Sequence, residues 1–519
     1  MRQVSPLWKA IIIVFISSFC VMVIELIAAR ILAPYIGVSL YTWTSIIGVI
    51  LAGIALGNYL GGKVADRYPS SLILATIFFI GGLLTIAVLP ATKIVTDGDW
   101  FGTLPIIWNF TLKTSLIFFL PAIVLSMVTP MVIKLTLANL EKTGGVVGTI
   151  YACSTAGSIL GTFMTGFYFI IWFGVNMIVW LIAASLIVTG LITLFLWKTG
   201  NRFKLSLKNL IIWSSIIELI AVYFILFSIR DHWQEEYTEE SNYHTIRVYH
   251  GGKNVKILAL DKMIHSYTDP DDPTHIFYEY VKIFTEMVNY ATGDNIAPSL
   301  LHLGGGGYTF PRYMETVYPQ SINDVVEIDP LVTEVAYKEL GVPRDTSITT
   351  YNEDARLFLI QLDAENKYDY IIGDVFNDQS TPYHLTTFEF NELVKSHLKN
   401  DGMYLINIVD DFTYGRYMAS FVHTLKQTFN YVYLFNTNQN MDDADISTFV
   451  IAATDRYIDM DDYNLKVISG REDNDSGVPF SEDELNEYLS QRNPILLTDA
   501  YAPTDILVAP LFSKMNARQ

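Results

Sequence analysis

Cysteine is almost absent from this chain of 519 residues: Cys20 and Cys153 are its two, and both lie in apolar runs. Two such thiols make neither a disulfide framework nor a metal site. Basic charge is scarce beyond residue 230, where 20 Lys/Arg face 47 Asp/Glu, whereas the first 230 residues carry 14 against 6. An acidic half repels phosphate backbones and argues against nucleic acid as a partner. The first apolar run, from near Lys9 to about Ile31, has no small-residue cleavage site. It is too long for a signal-peptide core and reads as a retained membrane helix.

Long apolar runs are what the first half has in plenty. About 20 apolar residues cross a hydrocarbon core as a helix, and seven runs qualify: roughly 8–33, 41–62, 71–91, 115–140, 146–171, 174–197 and 209–229. They predict a multi-pass α-helical membrane domain over residues 1–230, with the lipid bilayer as its partner. Gly53, Gly57, Gly61 and Gly62 recur on one face of the second run, where small residues let helices approach closely. Glu25, Arg30 and Glu218 are costly charges inside runs; the first two read as an ion pair, an interfacial snorkel or a polar cavity wall. Lys/Arg cluster at the amino terminus, at Lys63/Arg67, at Lys134/Lys142 and at Lys198 to Lys208. The positive-inside rule puts all four in the cytoplasm, and seven crossings then put the second half outside. Either one crossing is miscounted, with Trp100 to Lys113 the suspect stretch, or the charge rule fails.

Residues 231–292 predict a small β element and a linking helix. Ile246, Val248, Val255 and Ile257 alternate with polar residues, Gly251-Gly252 supplies a turn, and a helical stretch follows from about Thr274. Residues 293–519 predict an α/β domain. Leu300 to Leu303 is a buried-strand run met at once by Gly304-Gly305-Gly306-Gly307; a helix and the strand Asp324 to Ile328 follow. This order, with acids Glu327 and Asp329 about 20 residues past the glycines, is that of a nucleotide-binding unit. Strands ending at Glu353-Asp354-Ala355 and at Gly373-Asp374 place further small or acidic residues where open α/β sheets bind ligands.

Tyr243 to about Val409 resembles the spermidine synthase family, a branch of the class I methyltransferase-type Rossmann folds. The resemblance rests on Leu260-Asp261 with His265, the Gly304 to Arg312 motif, Glu327-Ile328-Asp329, Asp354-Ala355 and Asp374. Glu25 through Pro34, Trp43-Thr44 and Gly57 through Asp66-Arg67 resemble the multi-helix segment found fused to such domains. The resemblance implies an enzyme that takes S-adenosylmethionine or its decarboxylated form as substrate, needs no metal and releases methylthioadenosine. It implies substrate contacts from His265, Gly304, Gly305, Gly306, Gly307, Asp329 and Asp374, from Glu327 to ribose, and from Asp354 with Ala355 to adenine. Asp374 takes the catalytic position, drawing a proton from an attacking amine, with Tyr383 and His384 as further catalytic candidates. The supply of such a substrate favours a cytosolic catalytic half on a multi-pass protein of the cell membrane; a homo-oligomer is left open.

Departures from the family set the expected reaction. Gly307 stands where the family's glycine motif has an Asp that holds the free amine of the decarboxylated donor. The usual Asp-Ser-Ser-Asp-Pro loop reads Asp374-Val375-Phe376-Asn377-Asp378, and Tyr383-His384 follow where a Glu often faces the polyamine. With these acids gone, the leading expectation is intact S-adenosylmethionine cyclising on itself, which keeps the entropic advantage of one molecule. The alternatives are aminopropyl transfer from the decarboxylated form, methyl transfer, and a transporter or non-catalytic sensor. The lack of a clear internal repeat argues against a carrier. Arg312 reads as an anchor, Thr498 to Asp505 as a lid or docking strand, and Asp442-Asp443-Asp445 and Glu472-Asp473-Asp475 as solvated loops.

Overall fold

A computed structural model describes residues 7–36, 39–97, 101, 104–137, 143–196, 235–252, 254–261, 263–375, 381–437, 447–470 and 477–509. The seventh apolar run with Glu218, residues Phe376 to Asp378 and both acidic clusters of the tail lie outside the described residues. The chain divides into two compact units, Met1–Gln234 and Glu235–Gln519.

Among the described residues of the first unit, six helices are long and apolar enough to cross a membrane. They are α1 Leu7–Ile36, α2 Leu40–Arg67, α3 Ser71–Thr96, α4 Ile107–Thr136, α5 Thr143–Phe169 and α6 Val175–Phe195. Ser39 starts α2 by accepting the Thr42 N–H at 3.2 Å, one of the amides a helix start leaves unpaired. Residues 107–113 are the opening turns of α4, so the Trp100 to Lys113 stretch supplies no extra crossing. An Asp66–Lys134 ion pair ties the carboxyl ends of α2 and α4 together. Glycines make the α2–α4 contact. A Cβ on Gly53 would come 2.7 Å from Ala122 Cβ, one on Gly61 2.7 Å from Met127 Cα, and one on Gly57 would strike the Ile123 carbonyl. Gly62 is the correction: a Cβ there meets nothing within 4 Å, since one residue further on is about 100° round the helix.

The second unit opens with an antiparallel sheet in the order β1 Glu235–Glu240, β2 Thr245–His250, β3 Lys256–Leu260 and β4 Met263–Thr268. Gly251 and Gly252 close the β2–β3 turn, with the Gly251 N–H on the Val255 carbonyl at 2.7 Å. In β4, Ser266 pairs with Leu258 and Ile264 with Ala259, so His265 is left as the extra residue of a bulge. The linking helix α7 runs over Glu279–Thr292; it starts later than the sequence suggests, beyond Pro273.

Seven strands then build the main sheet: β5 Ser299–Leu303, β6 Ile322–Val326, β7 Thr349–Tyr351, β8 Tyr368–Gly373, β9 Leu398–Asp410, β10 Tyr431–Asn436 and β11 Ser447–Thr454. Their order is β10-β11-β9-β8-β5-β6-β7. Neighbours from β7 across to β9 are parallel, whereas β11 runs antiparallel to both β9 and β10. This is the Rossmann-like arrangement of class I methyltransferases with a small β element in front, as the family resemblance implies. Every residue of β5 is buried, as a parallel strand covered on both faces requires. Leu300, Ile372 and Leu405 of the sheet pack with Phe284 and Met287 of α7 and Phe310 and Met314 of the next helix.

Candidate active site

The strand order reverses between β5 and β8, and open α/β sheets bind ligands beyond the carboxyl ends of the strands at such a point. The glycine loop leaves β5 there and Asp374 leaves β8. Gly304 has φ +95°, and a Cβ on it would collide with the Asp374 carbonyl, so the two loops touch through bare backbone. Only glycine accepts both that φ and that contact cheaply.

The loop amides hold the acid at the end of β6. Gly305 and Gly306 donate to Glu327 Oε2 at 2.9 and 3.2 Å, and the Asp329 N–H donates to Oε1 at 2.9 Å. Burial raises the Glu327 carboxyl above its ordinary range, while these amides pull it back down. Oε2 is filled by the two loop amides, whereas Oε1 keeps lone-pair capacity for a further donor. Asp329 is spent on the fold instead: it caps the helix Pro330–Glu339 through the Leu331 N–H at 3.0 Å and accepts a hydrogen bond from Ser241 of the small sheet.

Asp374 is gripped from two sides. Tyr280 Oη, on α7, donates to Oδ2 at 3.0 Å, and Asn407 Nδ2, on β9, donates to Oδ1 at 3.0 Å. Burial lifts the carboxyl above the ordinary carboxylate range, with the Asn407 and Tyr280 donors opposing. Burial beside this carboxylate also pushes the Tyr280 phenol far above its usual value, so it stays a donor. Neither Tyr280 nor Asn407 stands out in the sequence, because nothing local marks a residue whose partner lies 94 or 33 positions away.

A second cluster forms at the start of the helix Ala355–Gln361. Asp354 Oδ1 accepts from Arg356 N and Leu357 N at 3.0 Å each, capping that helix. Its Oδ2 pairs with His384 Nε2 at 3.1 Å. Tyr383 is exposed and packs edge-on against His384. The structure therefore assembles the glycine loop, Glu327 and Asp374 at the switch point and bonds His384 to Asp354, not to Asp374. Arg356 donates to the His384 carbonyl at 2.9 Å and to Asp499 at 2.7 Å, and Thr387 also donates to Asp499 at 2.7 Å. So Thr498 to Tyr501 is a docked turn. Arg312 anchors the chain entering α7 by donating to the carbonyls of Asp269, Pro270 and Leu340.

Under the glycine loop lies a small chamber lined by His265, Ser266, Tyr280, His302, Gly304 to Gly307 and Asp374, among others. His265 Nε2 and Ser266 Oγ are buried in it without a hydrogen-bond partner among the described residues. Burial, and then the neighbouring His244, take the His265 ring down to about 4, which leaves it neutral.

Residues 301–462 match the family model of the spermine/spermidine synthase domain. The second unit carries a spermidine synthase-like domain. A polyamine aminopropyltransferase of Vibrio vulnificus is 32% identical over 143 residues, which is 27% of this chain and 46% of that protein. The chain thus spans less than half of that relative. A polyamine aminopropyltransferase of Oceanobacillus iheyensis is 23% identical over 420 residues, 75% of each chain. Residues beyond Gln234 make up only 285 of the 519, so this second match runs into the membrane unit as well. The crystal structure of a probable spermidine synthase from Corynebacterium glutamicum aligns with a TM-score of 0.45 at 22% identity, covering 50% of this chain and 95% of that one.

Proposed function

We propose that the spermidine synthase-like domain is an aminopropyltransferase: it binds decarboxylated S-adenosylmethionine and passes the aminopropyl group to an amine. The observation that carries this reading is Asp374, a half-buried carboxylate at the switch point whose two oxygens are fixed by Tyr280 and Asn407. The sulfonium supplies the leaving group. The amine's lone pair forms the new N–C bond, the C–S pair returns to sulfur, and methylthioadenosine departs. Asp374 takes the amine's proton; its raised pKa brings its basicity nearer that of the ammonium it deprotonates, and such help is typically worth about 10²–10⁴ in rate. In this reading Glu327 holds the ribose and Asp354 the adenine, which fixes the donor while the amine approaches in line.

The relatives named as aminopropyltransferases favour this reading over cyclisation, the leading expectation from sequence. So does charge: among the described residues no Lys or Arg lines the chamber, so none of them offers a cation to an α-carboxylate entering it. Cyclisation of intact S-adenosylmethionine remains the second reading, favoured by the absence of a carboxylate at Gly307. The test is to incubate the purified full-length chain with either donor, with and without putrescine, and identify products by mass spectrometry. Methylthioadenosine that requires both the decarboxylated donor and the amine supports aminopropyl transfer. Methylthioadenosine from intact donor alone selects cyclisation, and S-adenosylhomocysteine overturns both. Because cytosol is where such a donor is made, we further propose that this unit faces it.

A further inference from the structure

We propose that His265 and Ser266 together form the receptor for the donor's terminal ammonium, replacing a loop carboxylate with two neutral acceptors. The inference rests on the sulfonium-donor reading above and names how that site reads its substrate.

Neighbours on a regular strand point to opposite faces. Here the bulge in β4 leaves His265 outside the ladder, between Ile264 and Ser266, and a bulge re-aims side chains in this way. Both residues consequently line the same chamber. His265 Nε2 and Ser266 Oγ each have no partner among the described residues, and Ser266 is only 5% exposed. A buried hydroxyl or ring nitrogen left unpaired costs stability, so a fold that keeps two of them side by side marks a place for a ligand with several N–H groups. The ring is neutral, and a neutral imidazole offers one acceptor nitrogen.

Gly307 follows from the same arrangement. A Cβ at Gly307 would stand 2.7 Å from Ser266 Cβ and collide with its hydroxyl. Any side chain on the loop at that point, an aspartate included, would compete with Ser266 for one space. The missing acid and the inserted hydroxyl are one exchange. The chamber encloses about 60 Å³, room for roughly four to six water-sized groups. An aminopropyl tail has four heavy atoms; the aminobutyrate tail of the intact donor has seven.

The experiment is calorimetric titration of the full-length protein in detergent with decarboxylated S-adenosylmethionine and, as the ligand lacking the ammonium, methylthioadenosine. For Ser266→Ala and His265→Phe the proposal expects a loss of about tenfold or more for the decarboxylated donor and unchanged methylthioadenosine binding, which also shows the variants are folded. The double change Ser266→Gly with Gly307→Asp should regain what Ser266→Gly alone loses. Equal losses for both ligands, or no loss for either, would overturn the inference while leaving the aminopropyl reading intact. A wild-type protein that binds neither ligand would remove both together.

Discussion

Asp374 draws its chemistry from two neutral donors, and each can be removed separately. Asp374→Asn keeps the shape and deletes the base, so turnover at saturating donor should drop about 10²–10⁴-fold; product formation checks it, with calorimetry separating lost chemistry from lost donor binding. Tyr280→Phe removes a hydrogen bond that favours the charged carboxylate, so the Asp374 pKa rises further above its already raised value. The base is active only when ionised. The acid limb of the pH–rate profile should therefore move to higher pH, by about one unit, and a limb that stays put would contradict the assignment. Asp410, buried at the end of β9, gives a second pH effect unconnected with catalysis. Desolvation raises its carboxyl to about 7, against the backbone amides of Met418 and Asp411, which donate to it. Between the unfolded value near 3.9 and about 7 the folded state binds the extra proton, so stability falls as pH rises through that window, by about 1.4 kcal/mol per unit. Melting temperatures of wild type and Asp410→Asn from pH 4 to 8 should show that slope in the first and a weaker one in the second.

At the scale of elements, what was legible in the sequence is what repeats locally. The strands β5, β6 and β8 were readable because buried parallel strands are short apolar runs closed by glycine or acid, and Glu327 and Asp374 came with them as strand-end residues. The bulge at His265 was not readable, since Met263 to Thr268 alternates only loosely and a bulge is a matter of pairing with β3. Tyr280, Asn407 and Ser266 were missed for the same reason: each acquires its role from a partner on another element. Asp329 and His384 were legible as polar residues near the site, yet the fold spends the first on a helix cap and bonds the second to Asp354. The glycine face of α2 shows the limit of periodicity in the other direction, because Gly62 sits beside Gly61 in sequence and away from α4 in space. Gly57→Leu should cost about 1–3 kcal/mol or more by overpacking against the Ile123 carbonyl, read as a lowered melting temperature in detergent. Gly62→Leu, with open space around it, should leave that temperature unchanged.

At the scale of the whole molecule, six helices long and apolar enough to cross a membrane would, if all cross, bring the chain back after α6 to the side where it began. The Asp66–Lys134 pair puts the ends of α2 and α4 on one side, which agrees with the clusters at Lys63/Arg67 and Lys134/Lys142 both being cytoplasmic. The proposed cytosolic placement of Glu235–Gln519 fits an even number of crossings before it, such as the six candidate helices would make with the amino terminus in the cytosol. The second unit's balance of 20 basic against 47 acidic residues from 231 onward repels an anionic leaflet surface, so such a unit is not drawn onto the bilayer by charge. The cytosolic placement predicts that alkaline phosphatase fused after residue 208 and after residue 519 is inactive in a bacterial host, while a fluorescent protein at either point folds and glows. Phosphatase activity at 519 with none at 208 would mean that 209–229 crosses, and the aminopropyl donor would then have to be supplied from outside.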